Sequence, residues 1–380
     1  MMFIRTPLRG PLSKSARGAL MALGLVLTAC SGDSSPADDL AREVAETTTT
    51  STTTSTTTTT TTTPPTTTTS LAPPLDVDDV PRVARTTTDV VLPVLSEVSD
   101  GLLVRTTCQN TTIIQPAEVD DRVHVVLDPG HGGSEPGAAT DDGIAEKDVN
   151  LEVALQTEAL LLEQGFDVIL TRYTDIRMPL LTRVEIADRL EADLLVSIHH
   201  QGTEQFPTSS ESGVEVFYQQ DSSESRRFAG ILVEETREEF SVFDIEWFAG
   251  VDAGAVYRPN TNTGADFYGM IRLPETTSVL AEMAFLGNEA EVDLIRSGEL
   301  QQAEAIALSQ AIIRWLTTDD PGSGFVEPSF SLLSAGGGGG VSGCEDPDLG
   351  ETFDVVEELD VPDEDEEEAQ DTGSGIADEG

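Results

Sequence analysis

Val123-His124-Val125-Val126-Leu127-Asp128-Pro129-Gly130-His131-Gly132-Gly133 decides how this chain is read. Val123 to Leu127 is a nearly continuous apolar run, the pattern of a strand buried on both faces. Asp128, Pro129 and the glycines then end it abruptly, and glycine on both sides of His131 lets the backbone turn sharply and leaves the imidazole uncrowded. Outward from this stretch, strands and helices alternate. The spacing predicts a helix over 147–164, with Leu151, Ala154, Leu155, Ala159 and Leu162 on one face. It predicts strands over 167–171, 194–199 and 214–218 and helices over 180–190 and 223–239. Two more strands (269–273 and 278–284) and a last helix (297–316) complete the pattern. Upstream, Val90–Leu92, Leu102–Val104 and Thr112–Ile114 are short β-like runs, the first two separated by a Ser99-Asp100-Gly101 turn. The fold class that follows is α/β. A mostly parallel twisted sheet of about six strands is covered by helices on both faces and carries a small N-terminal β appendage.

In such sheets functional residues gather at strand ends. The chain has four histidines: His124, His131, His199 and His200. His131 follows the first strand, His199 ends the third, and Glu146 opens the first helix after a loop returning from the same edge. Two histidines and a carboxylate there form a set that suits a catalytic metal with an open position for water. Glu282 lies in Ser278-Val279-Leu280-Ala281-Glu282-Met283-Ala284-Phe285-Leu286, a strand so apolar that a carboxylate is costly unless paired or functional. Burial there raises its pKa, which suits a general base that becomes a general acid. Each residue also has a plainer reading: a hydrogen-bonded strand-end histidine, or an acid favoured by a helix N-terminus. His124, inside the first strand, reads as a core or edge histidine.

These motifs together resemble the zinc-dependent N-acetylmuramoyl-L-alanine amidases of type 3. The resemblance rests on Val125–Gly133, Glu146-Lys147-Asp148-Val149-Asn150-Leu151, Ser197-Ile198-His199 and Ala281–Asn288, in that order, over about half the chain. Leu170-Thr171-Arg172 with Asp175, then Leu180, Arg183 and Ala187, and Ser212–Val216 add to it. The resemblance implies Zn2+ on His131, Glu146 and His199, and Glu282 as the catalytic carboxylate. It implies hydrolysis of the amide between N-acetylmuramic acid and L-alanine in peptidoglycan by zinc-activated water. Two positions depart from the family: His200-Gln201 and Ala187-Asp188 stand where Ala-Asn is usual. Alternation along a strand turns His199 and His200 to opposite faces, so His200 is expected at the rim, solvated or touching substrate. Phe243, Trp247, Phe248, Tyr257, Phe267 and Tyr268 in the loop before residue 269 either stack on substrate or pack the loop.

Composition fixes the rest. There are 21 Lys and Arg against 69 Asp and Glu, a formal charge of −48, which argues against nucleic acid as a partner. Residues 1–29 carry four bases, no acid and a short apolar run, as in a signal peptide. Leu27-Thr28-Ala29-Cys30 resembles a bacterial lipobox, implying a lipid on Cys30, with an ordinary signal and a chance cysteine as the alternative. Residues 30–87 are read as a disordered tether, because 47–70 hold nothing but Thr, Ser and Pro. The β appendage is assigned to 88–120, the catalytic domain to 121–318, a Gly-rich linker to 319–344 and an acidic disordered tail to 345–380. Cys108 and Cys344 flank the domain and either pair or stay free thiols. The expected protein is an exported monomer, lipid-anchored to the outer face of the cell membrane and facing the wall. Two further readings stay open: a metal-binding but inactive regulator, and a hydrolase of the same fold acting on a different amide.

Overall fold

The computed structural model describes residues 71–73, 75, 81–202, 213–248, 250, 253–328 and 340–353. The expected signal peptide, Cys30, the Thr-rich run 47–70 and most of the acidic tail lie outside them.

Five short strands open the described chain: β1 (Val83–Arg85), β2 (Val91–Val98), β3 (Gly101–Arg105), β4 (Thr111–Ile114) and β5 (Glu118–Asp120). They pair antiparallel in the order β4-β3-β2-β1-β5. β2 and β3 are joined by the two-residue Ser99-Asp100 turn. Ala84, Val90, Leu92, Val94, Leu102, Val104 and Ile114 close a small core.

The second sheet holds β6 (Val125–Pro129), β7 (Val168–Leu170), β8 (Leu194–Gln201), β9 (Glu215–Tyr218), β10 (Gly254–Val256) and β11 (Ser278–Phe285). Its order is β10-β9-β11-β8-β6-β7. β7, β6, β8 and β11 are parallel neighbours, whereas β9 runs antiparallel to β11 and carries β10 parallel to itself. The sheet is therefore mixed, which corrects the expectation of a mostly parallel one. The physical reason is in the connection: parallel neighbours need a long crossover, usually helical. No helical pattern separates 199 from 214 in the sequence. β9 accordingly runs back, and its first residue arrives at the edge where β6, β8 and β11 end.

The helices are α1 (Glu146–Glu163), α2 (Leu180–Arg189), α3 (Ser223–Glu239), α4 (Gly269–Arg272), α5 (Glu289–Ser297) and α6 (Glu299–Thr317). Val125, Leu127, Val196, Ile198, Val279 and Ala281 face α1, α3 and α6. Val126, Leu195 and Leu280, one residue out of phase, face α2, α4 and the first sheet. Each such Val, Leu or Ile side chain contributes ~1.5–3 kcal/mol by leaving water. Among the described residues no helix is long and apolar enough to cross a membrane.

Three local expectations are corrected. Residues 269–272 form a helical turn, not a strand. Met270 and Ile271 are both buried, and a short apolar run does not distinguish the two states. The buried face of α1 is Glu146, Val149, Asn150, Val153, Ala154, Thr157 and Leu161, while Leu162 is 52% exposed. That face carries polar residues, so apolar counting rotated it. Finally, structure runs past the boundaries drawn from composition. β1 lies within 30–87, and Gly324–Val326 pair along β10. β12 (Thr352–Phe353), from the acidic segment, pairs with β4, and Leu349 enters the small core. Cys108 and Cys344 form a disulfide, with Cα atoms 5.6 Å apart. Asp346 beside it accepts hydrogen bonds from the Thr106 and Thr107 hydroxyls and the Cys108 N–H.

Candidate active site

The end of β6 is built around Asp128, a buried carboxylate with every neighbour a donor. Thr171 Oγ1 and Arg183 Nη1 each donate to Oδ1 at 2.6 Å, and Ser197 Oγ donates to Oδ2 at 2.7 Å. Burial alone would push this carboxyl up, but Arg183 and the two hydroxyls outweigh it and hold it below its ordinary value. Arg183 also donates to the carbonyls of Met178, Pro129 and His131. Arg172, fully buried, donates to the carbonyls of Pro129, Gly130 and Lys147, and burial with its neighbour Arg183 pulls it down to about 10. Lys147 Nζ donates to the Gly133 carbonyl and to Asp175, whose other oxygen accepts from the Gly133 N–H. Two buried guanidinium groups and one ammonium thus hold the 129–133 loop by its backbone. His131 sits in it at φ +61°, a conformation that needs such support.

The loop delivers His131 to Glu146, the first residue of α1, and β8 delivers His199 to the same carboxylate. Glu146 Oε1 lies 3.2 Å from His131 Nε2 and 3.0 Å from His199 Nδ1. Its Oε2 accepts from the Ala138 N–H at 2.8 Å. The potential ligand atoms of the three lie within 4.8 Å of one another. The approach is tight enough to demand glycine twice. A Cβ on Gly130 would lie 2.2 Å from the His199 ring, and one on Gly137 would lie 2.3 Å from Glu146 Oε2. Burial would raise the Glu146 pKa, but hydrogen bonds and charge from His131 and His199 hold it well below the usual range. Two imidazoles and a carboxylate with an open side facing a cavity are the donor chemistry of catalytic zinc, so the residues fit that ion.

Glu282 faces this set. In register it is the partner of His199 on β8 and of Glu215 on β9, so the three stand in one row across the sheet. The residue reaches the cavity, yet its Oε2 is sealed and has no hydrogen-bond partner among the described residues. Burial raises its pKa well above the ordinary value, and the charges of Glu146 and Glu215 add to this against the opposing pull of Arg258. Just past Glu282 the pairing with β8 shifts register, and Glu291 accepts the Phe285 N–H at 2.7 Å beside that irregularity. Asn288 caps α5 by accepting from the Ala290 N–H.

A polar cavity of about 610 Å³ is lined by His131, Glu146, His199, Gln201, Glu215, Arg258, Tyr268 and Glu282. Arg258 donates to Tyr268 Oη at 2.6 Å and to Glu215 at 3.4 Å, and lies over the Phe217 and Tyr268 rings. An apolar cavity of about 680 Å³ adjoins the two histidines, with Met178, Leu180, Phe267, Met270 and Leu280 in its wall. The aromatic loop therefore divides. Phe243 and Trp247 pack on Phe240, Phe248 lies under Arg237, and Tyr257 meets Tyr218, whereas Phe267 and Tyr268 line the cavities.

His200 is not a rim residue. It does point away from His199, but into the interior, 1% exposed, between Asn150 and Glu304. His124 is a buried histidine, 1% exposed: Nδ1 accepts from the Asp167 N–H at 3.0 Å, leaving Nε2 to donate to the Pro73 carbonyl at 2.7 Å. Asp188 holds the turn before β11, accepting from the Glu275 and Thr276 N–H groups and the Thr276 hydroxyl. Sequence reasoning missed Asp128, Glu215, Arg258 and Glu304 as members of the site or its support. The motif Leu-Asp-Pro-Gly-His already contained the first. Arg258 and Glu304 sit in stretches with no signal of their own.

The same loop yields a pH prediction. Asp266, half-buried and accepting weakly from the Gln220 N–H, is raised to about 6 by burial and by neighbouring Asp221. Its folded pKa lies above its unfolded one, so the folded state binds the extra proton and stability falls as pH rises from ~4 to ~6. Asp266→Asn should remove that slope, worth about 1 kcal/mol after allowing for screening at a half-exposed site. Urea midpoints at pH 4.5 and 7 would check it; an unchanged difference between the two pH values would refute the assignment.

The N-acetylmuramoyl-L-alanine amidase family model matches residues 125–314. An amidase, AmiC, of Neisseria meningitidis is 29% identical over 241 residues, covering 55% of this chain and 57% of that protein. AmiA of Escherichia coli is 30% identical over 220 residues, covering 50% of this chain and 75% of its own length. Among solved structures, the amidase AmiC2 of Nostoc punctiforme aligns with TM-score 0.44 at 27% identity, over 52% of this chain and 99% of that one. The chain thus spans little more than half the length of the Neisseria relative. It carries the fold and the site motifs of a hydrolase domain. It belongs to the N-acetylmuramoyl-L-alanine amidase family.

Proposed function

We propose that this protein is a zinc-dependent hydrolase that cleaves the amide between N-acetylmuramic acid and L-alanine in peptidoglycan. The observation that carries the reading is Glu282 standing in one sheet row with His199, opposite the His131–Glu146–His199 set, in a chain of this family. His131, Glu146 and His199 would hold the zinc. The bound ion would supply Lewis acidity toward the scissile carbonyl and a lowered pKa for attacking water. Glu282 takes the proton of that water and returns it to the leaving amine. Its raised pKa suits this double duty, because a base most useful near neutral pH is one whose proton affinity has been lifted toward it. The 129–133 loop keeps His131 in place during turnover through its backbone clamps. Gln201, Arg258 and Tyr268 present donors to the substrate's polar groups from the cavity wall.

The localisation proposed is outside the cell. A lipid on Cys30 would hold a monomer at the outer face of the membrane, with the Thr-rich run giving reach toward the wall. His200 and Gln201 both belong to the cavity lining, but the His200 side chain is fully buried, which leaves Gln201 as the departure from the family pattern with a partly exposed side chain.

The test is a digest. Zinc-loaded protein should release stem peptides beginning with L-alanine from peptidoglycan, identified by mass spectrometry. Chelation should abolish release and added zinc restore it. No cleavage of sacculi or of soluble muropeptides would turn the reading to a binding regulator. Cleavage elsewhere would turn it to another amide.

A further inference from the structure

Glu304 of α6 and His200 of β8 form a buried pair that the hydrolytic scheme does not use. Both side chains are fully buried, and His200 Nε2 lies 3.1 and 3.2 Å from the two oxygens of Glu304. On the other side of the ring, His200 Nδ1 lies 2.7 Å from Asn150 Oδ1. The donors along this line can be assigned. Asn150 Nδ2 faces the Gly130 carbonyl at 3.1 Å and Glu146 Oε1 at 3.5 Å, so its amide oxygen is the atom turned to His200, and Nδ1 must donate. The His200 N–H donates to the same Glu146 oxygen at 3.2 Å. That oxygen is the one His131 and His199 approach.

Stability is a poor reason for this arrangement. Two ionisable groups leave water completely, and an apolar pair of the same volume is often as stable or more so. Its geometry has another effect. The Glu146 carboxylate can rotate, and its Oε1 has two donors besides the histidines: the Asn150 amide and the His200 N–H. Glu304 fixes the ring of His200, His200 fixes the amide of Asn150, and Asn150 holds both Glu146 and the carbonyl beside His131.

We infer that Glu304 and His200 are positioning residues that, through Asn150, set the orientation of the Glu146 carboxylate and thereby the affinity of the His131–Glu146–His199 set for zinc. This rests on the zinc reading of the site.

The experiment is a zinc titration of the full chain against a metallochromic chelator, with Zn2+ alone as probe and folding followed by circular dichroism. The double variant His200→Leu/Glu304→Met replaces the pair by apolar volume and should fold. Its zinc affinity should fall roughly 10–100-fold, the usual effect of losing a partner that orients a metal ligand. Glu304→Gln, which can still donate to His200 Nε2 and leave Nδ1–H on Asn150, should stay within about threefold of the natural chain. A folded double variant with unchanged zinc affinity overturns the inference and leaves the zinc site standing. If the double variant does not fold, Glu304→Met alone decides: a drop of fivefold or more supports the inference and no change overturns it. Failure of the natural chain to bind zinc would overturn both the zinc reading and the inference resting on it.

Discussion

Glu282→Gln should lower turnover on peptidoglycan by about 10³-fold, within the range for loss of a general base, while leaving zinc affinity and the melting temperature undiminished. The amide is the same shape as the carboxylate, so the cavity and the β11 pairing stay intact. What goes is the proton acceptor. The stability half of the expectation is the sharper one. Glu282 Oε2 is buried without a hydrogen-bond partner among the described residues, and the carboxylate sits near Glu146 and Glu215. A buried carboxylate beside two charges of like sign, opposed by Arg258 alone among the charges acting on it, costs folding free energy. Its neutral isostere should therefore melt at the same temperature or higher, the signature of a residue kept for chemistry at the expense of stability. Steady-state rates on soluble muropeptides, with zinc saturation verified, would measure the first half, and calorimetry the second. A variant retaining more than a tenth of the activity would remove Glu282 from the base role. A melting temperature well below the parent would mean that Glu282 has a structural partner after all.

What the sequence made legible and what it did not divide along a physical line. The ends of β6 and β8 were legible because a buried strand must be apolar and its functional residue must come just past it. His131 and His199 stand out against Val125–Leu127 and Leu194–Ile198 for that reason. Glu282 was legible by the same contrast. Strand direction was not, because apolar runs carry no polarity; the missing helical pattern between His199 and Val214 was the available sign that β9 turns back. The face of α1 was misjudged for a related reason. Glu146, Asn150 and Thr157 are buried because they bond to His131, His199, Gly130 or the α1 backbone, and a hydrophobic count sees polar residues as surface. His200 failed the same way: expected at the rim as a polar residue, it is buried by a glutamate 104 positions further along, and nothing local announces that partner. Buried polar pairs are set by tertiary contact, so they are the last thing a periodicity can reveal.

Asp128 and Arg183 show how much can hang on one such pair, and they carry the largest stability effect expected in the molecule. Arg183→Met leaves Asp128 buried, with hydroxyl donors from Thr171 and Ser197 and only the unbonded charge of Arg172 in place of its ion-pair partner. Breaking a buried ion pair by removing one partner costs about 3–5 kcal/mol. Three carbonyls, of Met178, Pro129 and His131, lose a charged donor at the same time. His131 at φ +61° then loses a support of its strained backbone, so zinc affinity should fall together with stability. The pH dependence has a definite sign. Asp128 is held below its ordinary value in the folded state, so its contribution is present above the unfolded pKa of ~3.9 and is lost as pH falls through the lower folded one. In Arg183→Met the folded pKa rises, so that acid-side loss should shrink, and once the folded pKa exceeds the unfolded one the variant should gain stability as pH falls. Asp128→Asn/Arg183→Met, with neither charge left, should recover part of the lost stability, because the residual cost is one of desolvated charge and not of packing. Urea unfolding of the two variants and the natural chain at pH 7 and pH 4 would decide it. A double variant no more stable than Arg183→Met would show that the hydrogen bonds to the 129–131 backbone matter more than the buried charge. The loop would then be held by geometry, with electrostatics secondary.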